Sequence, residues 1–344
     1  MMATRSPNRS HRRAGFTLIE LLIVILIMGI LMALLLPAIN GVRRRARVAQ
    51  VKSEISTIAS SIASFKAEFG IEPPGSIRLY GNSPTGATNR WNVTGATPTD
   101  EAIRVRSRAY IRQLWPQFDF NTAGGASWSA DKDLNGAECL VFFLGGVSDP
   151  TVPGSVLNGF SKSPSAPFSY TGSNRMKPFF DFAFARLVDK DGDLLPEYVD
   201  PLPSQSSPYL YFSSNDGRGY TTVTGTNSSS TADWCHTDCY RDGFLGSTTN
   251  WAASTWANGN WMQHLYMTTV DMSAATQALR ATNSIPYSSK SYQIISPGFG
   301  GVGATPDRAY GTGGLFNPQN AGSLVGTADG DNITNFHGGT LSGE

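Results

Sequence analysis

The clearest group of potential metal ligands in the sequence is a short acidic segment. Asp189, Asp191 and Asp193 alternate around Gly192. Alternate aspartates in a tight turn bring several hard oxygen atoms to one point, which suits Ca²⁺ with its about six to eight oxygen ligands. The segment is not an EF-hand loop, because its glycine stands at the fourth position instead of the sixth. A solvated acidic turn is the alternative interpretation, and the residues alone leave both open.

Two closely spaced cysteines form a second candidate site. Cys235 and Cys239 flank His236, but the next histidine that could complete a tetrahedral zinc site, His264, is distant in the sequence. In an oxidising compartment a disulfide between Cys235 and Cys239 is the simpler prediction. Cys139 is then expected to be a buried thiol.

No catalytic constellation is present in the sequence. The segment that begins at Gly298 satisfies GxGxxG, but Thr305-Pro306 follows where a dinucleotide site needs a helix. His236, His264 and His337 are far apart, and neither HExxH nor GxSxG occurs. We therefore expect no enzymatic activity and no organic cofactor.

The composition indicates a protein that works outside the cytosol. Only 15% of the 344 residues are charged and the formal net charge is +1. Low charge with abundant glycine and small polar residues is typical of a loop-rich β protein. A net charge this close to zero gives no reason to expect nucleic-acid binding, which needs a basic face, so no nucleic-acid partner is expected.

An apolar run near the N-terminus must position everything after it. From Phe16 to Ile39 the only ionisable side chain is Glu20. A helix of this length reaches about 36 Å, enough to cross a hydrocarbon core of about 30 Å. Pro37 is expected to kink the helix without ending it. The run is longer than the apolar region of a secretory signal peptide, which is the alternative.

The helix is predicted to continue beyond the membrane as an amphipathic segment. Its apolar residues recur at alternating spacings of three and four, and Gly70 can supply the left-handed C-terminal cap. The stripe is expected to pack on the sheet of a globular domain. Its members are Val48, Val51, Ile55, Ile58, Ile62, Phe65 and Phe69.

The rest of the chain alternates loops with short elements. We predict a surface loop from Ile71 to about Asn89, a helix from Thr99 to Trp115, and a strand at Ser291–Ser296. The arginines of the helix are expected to be solvated or paired with acids. The apolar residues Cys139–Gly146 form either a buried strand or a short helix, which periodicity alone cannot distinguish.

The segment Arg12–Leu22, which reads RRAGFTLIELL, resembles the leader end of type IV pilins and of type II secretion pseudopilins. The resemblance implies that a prepilin peptidase cleaves after Gly15 and methylates Phe16, and that Glu20 is needed for assembly. Glu20 is costly in a bilayer, and either the headgroups or the new α-amino group of a neighbouring copy could neutralise it. Cleavage removes four arginines, leaving 23 basic against 26 acidic residues and a net charge of −3.

The C-terminal part carries a second, patchier resemblance. Tyr198–Pro201, which leads to Pro208–Phe212, and the closing segment resemble the major pseudopilin, although Leu202-Pro203 replaces the usual Trp-Gly. The resemblance implies a sheet strand at Pro208–Phe212. In that family the closing segment holds Ca²⁺. The resemblance implies Asp329, Asp331 and Asn332 as oxygen donors here.

Together these features predict an α+β pilin fold: a long N-terminal helix packed on a small antiparallel β-sheet with large loop insertions. The expected parts are a leader at 1–15, a membrane and assembly helix at 16–39, its amphipathic continuation at 40–70, and an extracytoplasmic β-rich domain at 71–344 with an insertion at about 213–289.

The expected function is that of a fibre subunit of a type IV pilus or a type II secretion pseudopilus. Its expected partners are copies of itself, other pilins or pseudopilins, prepilin peptidase and the inner-membrane assembly platform. The body would face the periplasm from a single inner-membrane span, an orientation taken from the resemblance because arginines flank both ends of the helix. The alternative is a membrane-tethered or fibre-borne adhesin or cargo-binding protein that uses the insertion, where Trp251, Trp256 and Trp261 are found. Packing is the other interpretation of these tryptophans.

Overall fold

The computed structural model describes residues 16–81, 90–93, 98–148, 157–189, 194–203, 207–218, 220, 266–269, 285–299, 314–315 and 332–341. The chain divides into two compact units, one that ends at Arg47 and one that begins at Val48 and is called the body below. Three α-helices are described, α1 (Leu18–Phe69), α2 (Pro98–Leu114) and α3 (Gly136–Gly145). The described strands are β1 (Ile77–Leu79), β2 (Lys132–Leu134), β3 (Leu187–Val188), β4 (Glu197–Tyr198), β5 (Leu210–Ser213), β6 (Tyr266–Thr269), β7 (Ile285–Pro286), β8 (Tyr292–Ser296), β9 (Gly314–Leu315) and β10 (Ile333–Thr334). The architecture is therefore mixed α+β, with a long N-terminal helix and small, mainly antiparallel sheets, as predicted.

Helix α1 runs from Leu18 to Phe69 as one element and continues through residue 37. It ends at Gly70, whose φ of 78° is the left-handed conformation expected of a glycine cap. The N–H of Gly70 donates to the carbonyl oxygen of Lys66 at 2.8 Å, which completes the last turn. The predicted C-terminal end of the helix is confirmed.

The apolar stripe of α1 lies in the core of the body, which confirms the periodicity argument. Six of its seven residues are buried, and Phe69 packs against them from a half-buried position. Phe65 contacts the rings of Phe143 on α3 and of Phe179, with centroid distances of 6.0 and 5.3 Å. Phe69 adds an edge contact with Trp115 at 5.4 Å. The C-terminal half of α1 is thus an integral part of the core.

The apolar segment Cys139–Gly146, for which the sequence allowed either a strand or a short helix, lies almost wholly in helix α3. Asn135 forms a capping box with Glu138: the N–H of Glu138 donates to Asn135 Oδ1 at 3.1 Å, and the N–H of Asn135 donates to Glu138 Oε2 at 2.7 Å. All residues of α3 are buried. Because every face is covered, the apolar residues show no period that sequence reasoning could use.

The loop prediction for Ile71–Asn89 is wrong at β1. This strand pairs antiparallel with β2, and its three residues are buried. An ion pair between Arg78 and Asp133 joins the two strands, with Arg78 Nη2 2.7 Å from Asp133 Oδ2. The partner strand lies far along the chain, so the pairing that makes this segment a strand is invisible in its local sequence.

The main sheet of the body has the antiparallel order β10-β8-β5. Strand β5 pairs with β8 over four residues, from Leu210 opposite Ile295 to Ser213 opposite Tyr292. The chain therefore leaves the sheet at Ser213 and returns to the neighbouring position at Tyr292. Part of the intervening segment joins the body, because buried Tyr266 exchanges hydrogen bonds of 3.0 and 2.8 Å with the side chain of Gln293.

Candidate functional site

The N-terminal end of α1 is fixed by a capping box formed by Thr17 and Glu20. The N–H of Thr17 donates to Glu20 Oε2 at 2.8 Å, and the Thr17 hydroxyl donates to the same oxygen at 2.7 Å. In return, the N–H of Glu20 donates to Thr17 Oγ1 at 3.3 Å. The pattern Thr-x-x-Glu before an apolar run is the signature of this motif. Thr17 is thus a site residue that was not predicted from the sequence, although the Thr17-x-x-Glu20 pattern indicates it.

The capping box gives Glu20 a partner within its own chain. The partners predicted for the Glu20 carboxylate were lipid headgroups or the α-amino group of a neighbouring copy. In the structure, the N–H and the hydroxyl of Thr17 both donate to Glu20 Oε2. Oε1 accepts no hydrogen bond from the described residues. Phe16, the expected new N-terminus, is 78% exposed, and Gly15 lies outside the described residues. Glu20 therefore has one satisfied oxygen and one oxygen open to another group.

The first part of α1 presents an uninterrupted apolar surface. Every residue from Leu18 to Leu36 is exposed, and the most apolar window of the helix has a mean hydropathy of 3.1 with none of it buried. The helix is long and apolar enough to cross a membrane. A single chain leaves this surface uncovered, so it requires a bilayer or other apolar helices around it.

A polar cluster on the second part of α1 ties this helix to the body. The carboxylate of Glu54 accepts from Arg186 Nη1 at 2.8 Å, from the Tyr209 hydroxyl at 2.7 Å and from the Tyr198 hydroxyl at 3.2 Å. The Arg186 guanidinium also lies over the Tyr198 ring, 4.3 Å from its centre. Burial raises the pKa of Tyr198 to about 12 and that of Tyr209 well above its usual value. Both hydroxyls therefore stay protonated and act as donors at neutral pH.

The structure describes only part of each candidate calcium site. Asp189 is exposed, and its Oδ2 accepts from the N–H of Leu194 at 3.0 Å. Asn332 is buried: its amide nitrogen donates to the Tyr266 hydroxyl at 2.7 Å, and its Oδ1 has no hydrogen-bond partner among the described residues. Within the described residues no three acidic, histidine or cysteine side chains form a metal-binding group. The remaining candidates lie outside the described residues, namely Asp191, Asp193, Asp329 and Asp331.

Of the three cysteines, the structure describes Cys139. It is buried on α3, with its Sγ 3.8 Å from the carbonyl oxygen of Leu134. The proposed pair Cys235 and Cys239 lies outside the described residues, as do the three tryptophans of the insertion. The disulfide and the zinc alternative both stay predictions.

The arginines of α2 are engaged within the body. Arg104 Nε donates to Glu101 at 2.8 Å. Arg108 donates to the carbonyl oxygen of Trp91 at 2.7 Å and lies over the ring of Phe120, 4.1 Å from its centre. Contacts with an acid, a carbonyl oxygen and an aromatic ring thus engage these two arginines inside the protein, in agreement with the predicted pairing.

Comparison with known protein families gives a match on the segment described above. Residues 10–36 match the family model of the prokaryotic N-terminal methylation motif. No curated protein and no solved structure matches the chain. The matched range contains Gly15, Phe16, Thr17 and Glu20, and most of the exposed apolar surface of α1. The motif indicates a type IV pilin-like substrate of prepilin peptidase, and the apolar helix fits a membrane-anchored, single-pass protein. The chain thus carries the N-terminal methylation motif that is the hallmark of type IV pilin and pseudopilin precursors.

Proposed function

We propose that this protein is a structural subunit of a type IV pilus-like fibre or of a type II secretion pseudopilus. The observation that carries the proposal is the methylation motif followed by a helix whose apolar surface is exposed from Leu18 to Leu36. Helices of this kind can exchange the bilayer for copies of themselves, because lipid and helix surfaces are similarly apolar. The body would then decorate the outside of the fibre.

Processing precedes assembly in this proposal. Prepilin peptidase cleaves between Gly15 and Phe16 and methylates the new amine of Phe16. The leader stays in the cytoplasm, and the body lies on the periplasmic side before the inner-membrane platform adds the subunit to the fibre. No enzymatic activity and no organic cofactor are needed for this role.

The capping box suggests how Glu20 takes part in assembly. In the single chain Oε2 is held by two uncharged donors of Thr17, and Oε1 accepts nothing from the described residues. The α-amino group of a neighbouring mature chain is a cation near neutral pH. A hydrogen bond between two charged groups is stronger than one between neutral groups, most of all where water is excluded. The hydrogen bond from a neighbour's charged amine to Glu20 would therefore be stronger than those from Thr17. This contact would fix the register between copies.

Fibre formation by Glu20 variants tests the proposal. We expect Glu20→Gln to abolish fibres while the processed protein still accumulates in the membrane, since the amide has no charge to pair with the amine. Glu68→Gln is the matched control, because Glu68 is an exposed glutamate on the same helix. Thr17→Val should keep fibres, because it removes the hydroxyl that competes for Glu20 and leaves the carboxylate in place. Normal fibres from Glu20→Gln would contradict the proposed role of the carboxylate.

Calcium is the cation we propose for the acidic segments. The support is the buried Asn332 Oδ1, an oxygen with no hydrogen-bond partner among the described residues, in the segment that also contains Asp329 and Asp331. Binding of Ca²⁺ to the folded state raises stability by mass action. A chelator should therefore lower the melting temperature of the wild type and leave that of Asn332→Ala unaffected.

A further inference from the structure

Four arginines follow the apolar part of α1 and are called the arginine collar below: Arg43, Arg44, Arg45 and Arg47. With about 3.6 residues per turn, these positions extend over more than one turn. The side chains therefore point to several sides of the helix. Three of them are exposed, and Arg44 is half-exposed.

The charge of the collar is not balanced by carboxylates of its own helix. Between Glu20 and Glu54 the helix carries no acidic residue. Glu54, the first acid beyond the collar, is already paired with Arg186. In the described part of the chain Arg43, Arg45 and Arg47 form no ion pair. Arg43, Arg45 and Arg47 thus place a dense positive charge on the first unit, and no acidic side chain of the described residues pairs with these three.

The depth of the collar follows from the length of the helix. The hydrocarbon core is about 30 Å thick, and the headgroup layers bring the bilayer to about 40–45 Å, so each layer is roughly 5–8 Å deep. At 1.5 Å per residue, Arg43 lies about 6 Å beyond Ile39, the end of the apolar run. Arg47 lies about 12 Å beyond it, and its long side chain can reach back toward the phosphates. The collar therefore coincides with the headgroup layer.

We propose that the arginine collar binds the phosphate groups of anionic phospholipids in the leaflet nearest the body. Guanidinium groups match phosphate oxygens with two parallel hydrogen bonds. Because Arg43, Arg45 and Arg47 have no acidic partner among the described residues, they favour lipids with a net negative charge over zwitterionic ones. These contacts hold the helix at a fixed depth before assembly. The inference goes beyond the proposed fibre role and does not depend on it.

Lipid selectivity of the reconstituted chain tests the proposal. The processed protein is placed in phosphatidylcholine vesicles that contain a trace of spin-labelled phosphatidylglycerol or spin-labelled phosphatidylcholine. The motionally restricted fraction of each label gives the preference of the protein for the anionic lipid. A basic residue near an anionic surface contributes about 1 kcal/mol, so one fully engaged arginine already corresponds to about a fivefold preference. We expect at least this preference in the wild type and none in R43Q/R44Q/R45Q/R47Q.

The control removes four positive charges from the surface of the body instead, as K162Q/K177Q/R218Q/K290Q, and should keep the preference. The milder R45Q/R47Q, expected to insert normally, should show an intermediate preference. Equal restriction of both labels in the wild type overturns the proposal, as does an unchanged preference in both collar variants. If the body variant also loses the preference for the anionic lipid, the preference is due to net charge, which overturns the proposal. Its loss on adding inorganic phosphate at matched ionic strength would show a soluble-phosphate site instead.

Discussion

The guanidinium of Arg186 contacts both carboxylate oxygens of Glu54, with Nη1 2.8 Å from Oε2, across 132 positions of sequence. Glu54 lies on the helix that begins in the methylation motif, and Arg186 lies just before β3. The pair is mostly buried, since the side chains are 15% and 23% exposed. It is therefore a specific polar connection between the second part of α1 and the strands of the body.

Removing Glu54 should destabilise the body strongly. Glu54→Ala leaves the Arg186 cation and two tyrosine hydroxyls without their common acceptor, and breaking a buried pair in this way costs about 3–5 kcal/mol. Denaturant unfolding of the processed protein in detergent measures the change. Glu68→Ala, on the exposed face of the same helix, should change the free energy of unfolding by less than about 0.5 kcal/mol. Similar losses in the two variants would show that the cluster has no special role.

Stability should fall in alkali because Tyr198 keeps its proton in the folded state. Its pKa is about 12 in the folded protein, against an ordinary value of 10.0, so the folded protein binds more protons than the unfolded chain between these values. The contribution of Tyr198 is therefore fully present below pH 10 and is lost as the pH rises toward 12. Unfolding free energies measured across this range should fall less steeply for Tyr198→Phe, and an unchanged slope would contradict the assignment.

The start of α3 tolerates no side chain at residue 136. A Cβ on Gly136 would overlap the carbonyl oxygen of Tyr211 on β5, and backbone on both sides prevents an easy shift. We expect Gly136→Ala to lower stability by about 1–3 kcal/mol, the usual cost of overpacking. Gly338→Ala is the control, because a Cβ there meets no atom within 4 Å. Equal melting temperatures for the two variants would show that α3 and β5 are not packed as closely as described.

Some of these features can be predicted from the sequence and others cannot. The stripe from Val48 to Phe69 was predictable, because one face of a helix repeats at three and four residues wherever only that face is buried. The N-terminal motif was predictable because its information is local. The contact between Glu54 and Arg186 was not, since a charged residue carries no sign of its distant partner.

Strand β1, which was predicted as loop, and helix α3, which was left open between strand and helix, show two different limits. Strand β1 is three residues long and is defined by its pairing with β2, so nothing local marks it. Helix α3 could have been identified, because Asn135-x-x-Glu138 is a helix-start pattern like Thr17-x-x-Glu20. Both capping boxes are marked by the residues at the start of an apolar run.

Replacing residues 221–265 by a short glycine-serine linker should leave the body folded. The flanking strands β5 and β8 are hydrogen-bonded neighbours, and the replacement keeps Tyr266 and its contacts with Gln293. The melting temperature should therefore stay close to that of the wild type.

The same variant distinguishes a structural role of residues 221–265 from a binding role. Intact fibres with lost adhesion or cargo binding would favour the adhesin alternative, whereas lost fibres would assign the segment to assembly.

The mature N-terminus is the most direct test of the proposed processing. The full chain is expressed with a prepilin peptidase, and the N-terminal peptide of the membrane-bound product is identified by mass spectrometry. We expect a peptide that begins at Phe16 and carries a methyl group on its α-amino nitrogen, with Thr17 and Glu20 following unmodified. An uncleaved leader, or a first residue other than Phe16, would contradict it.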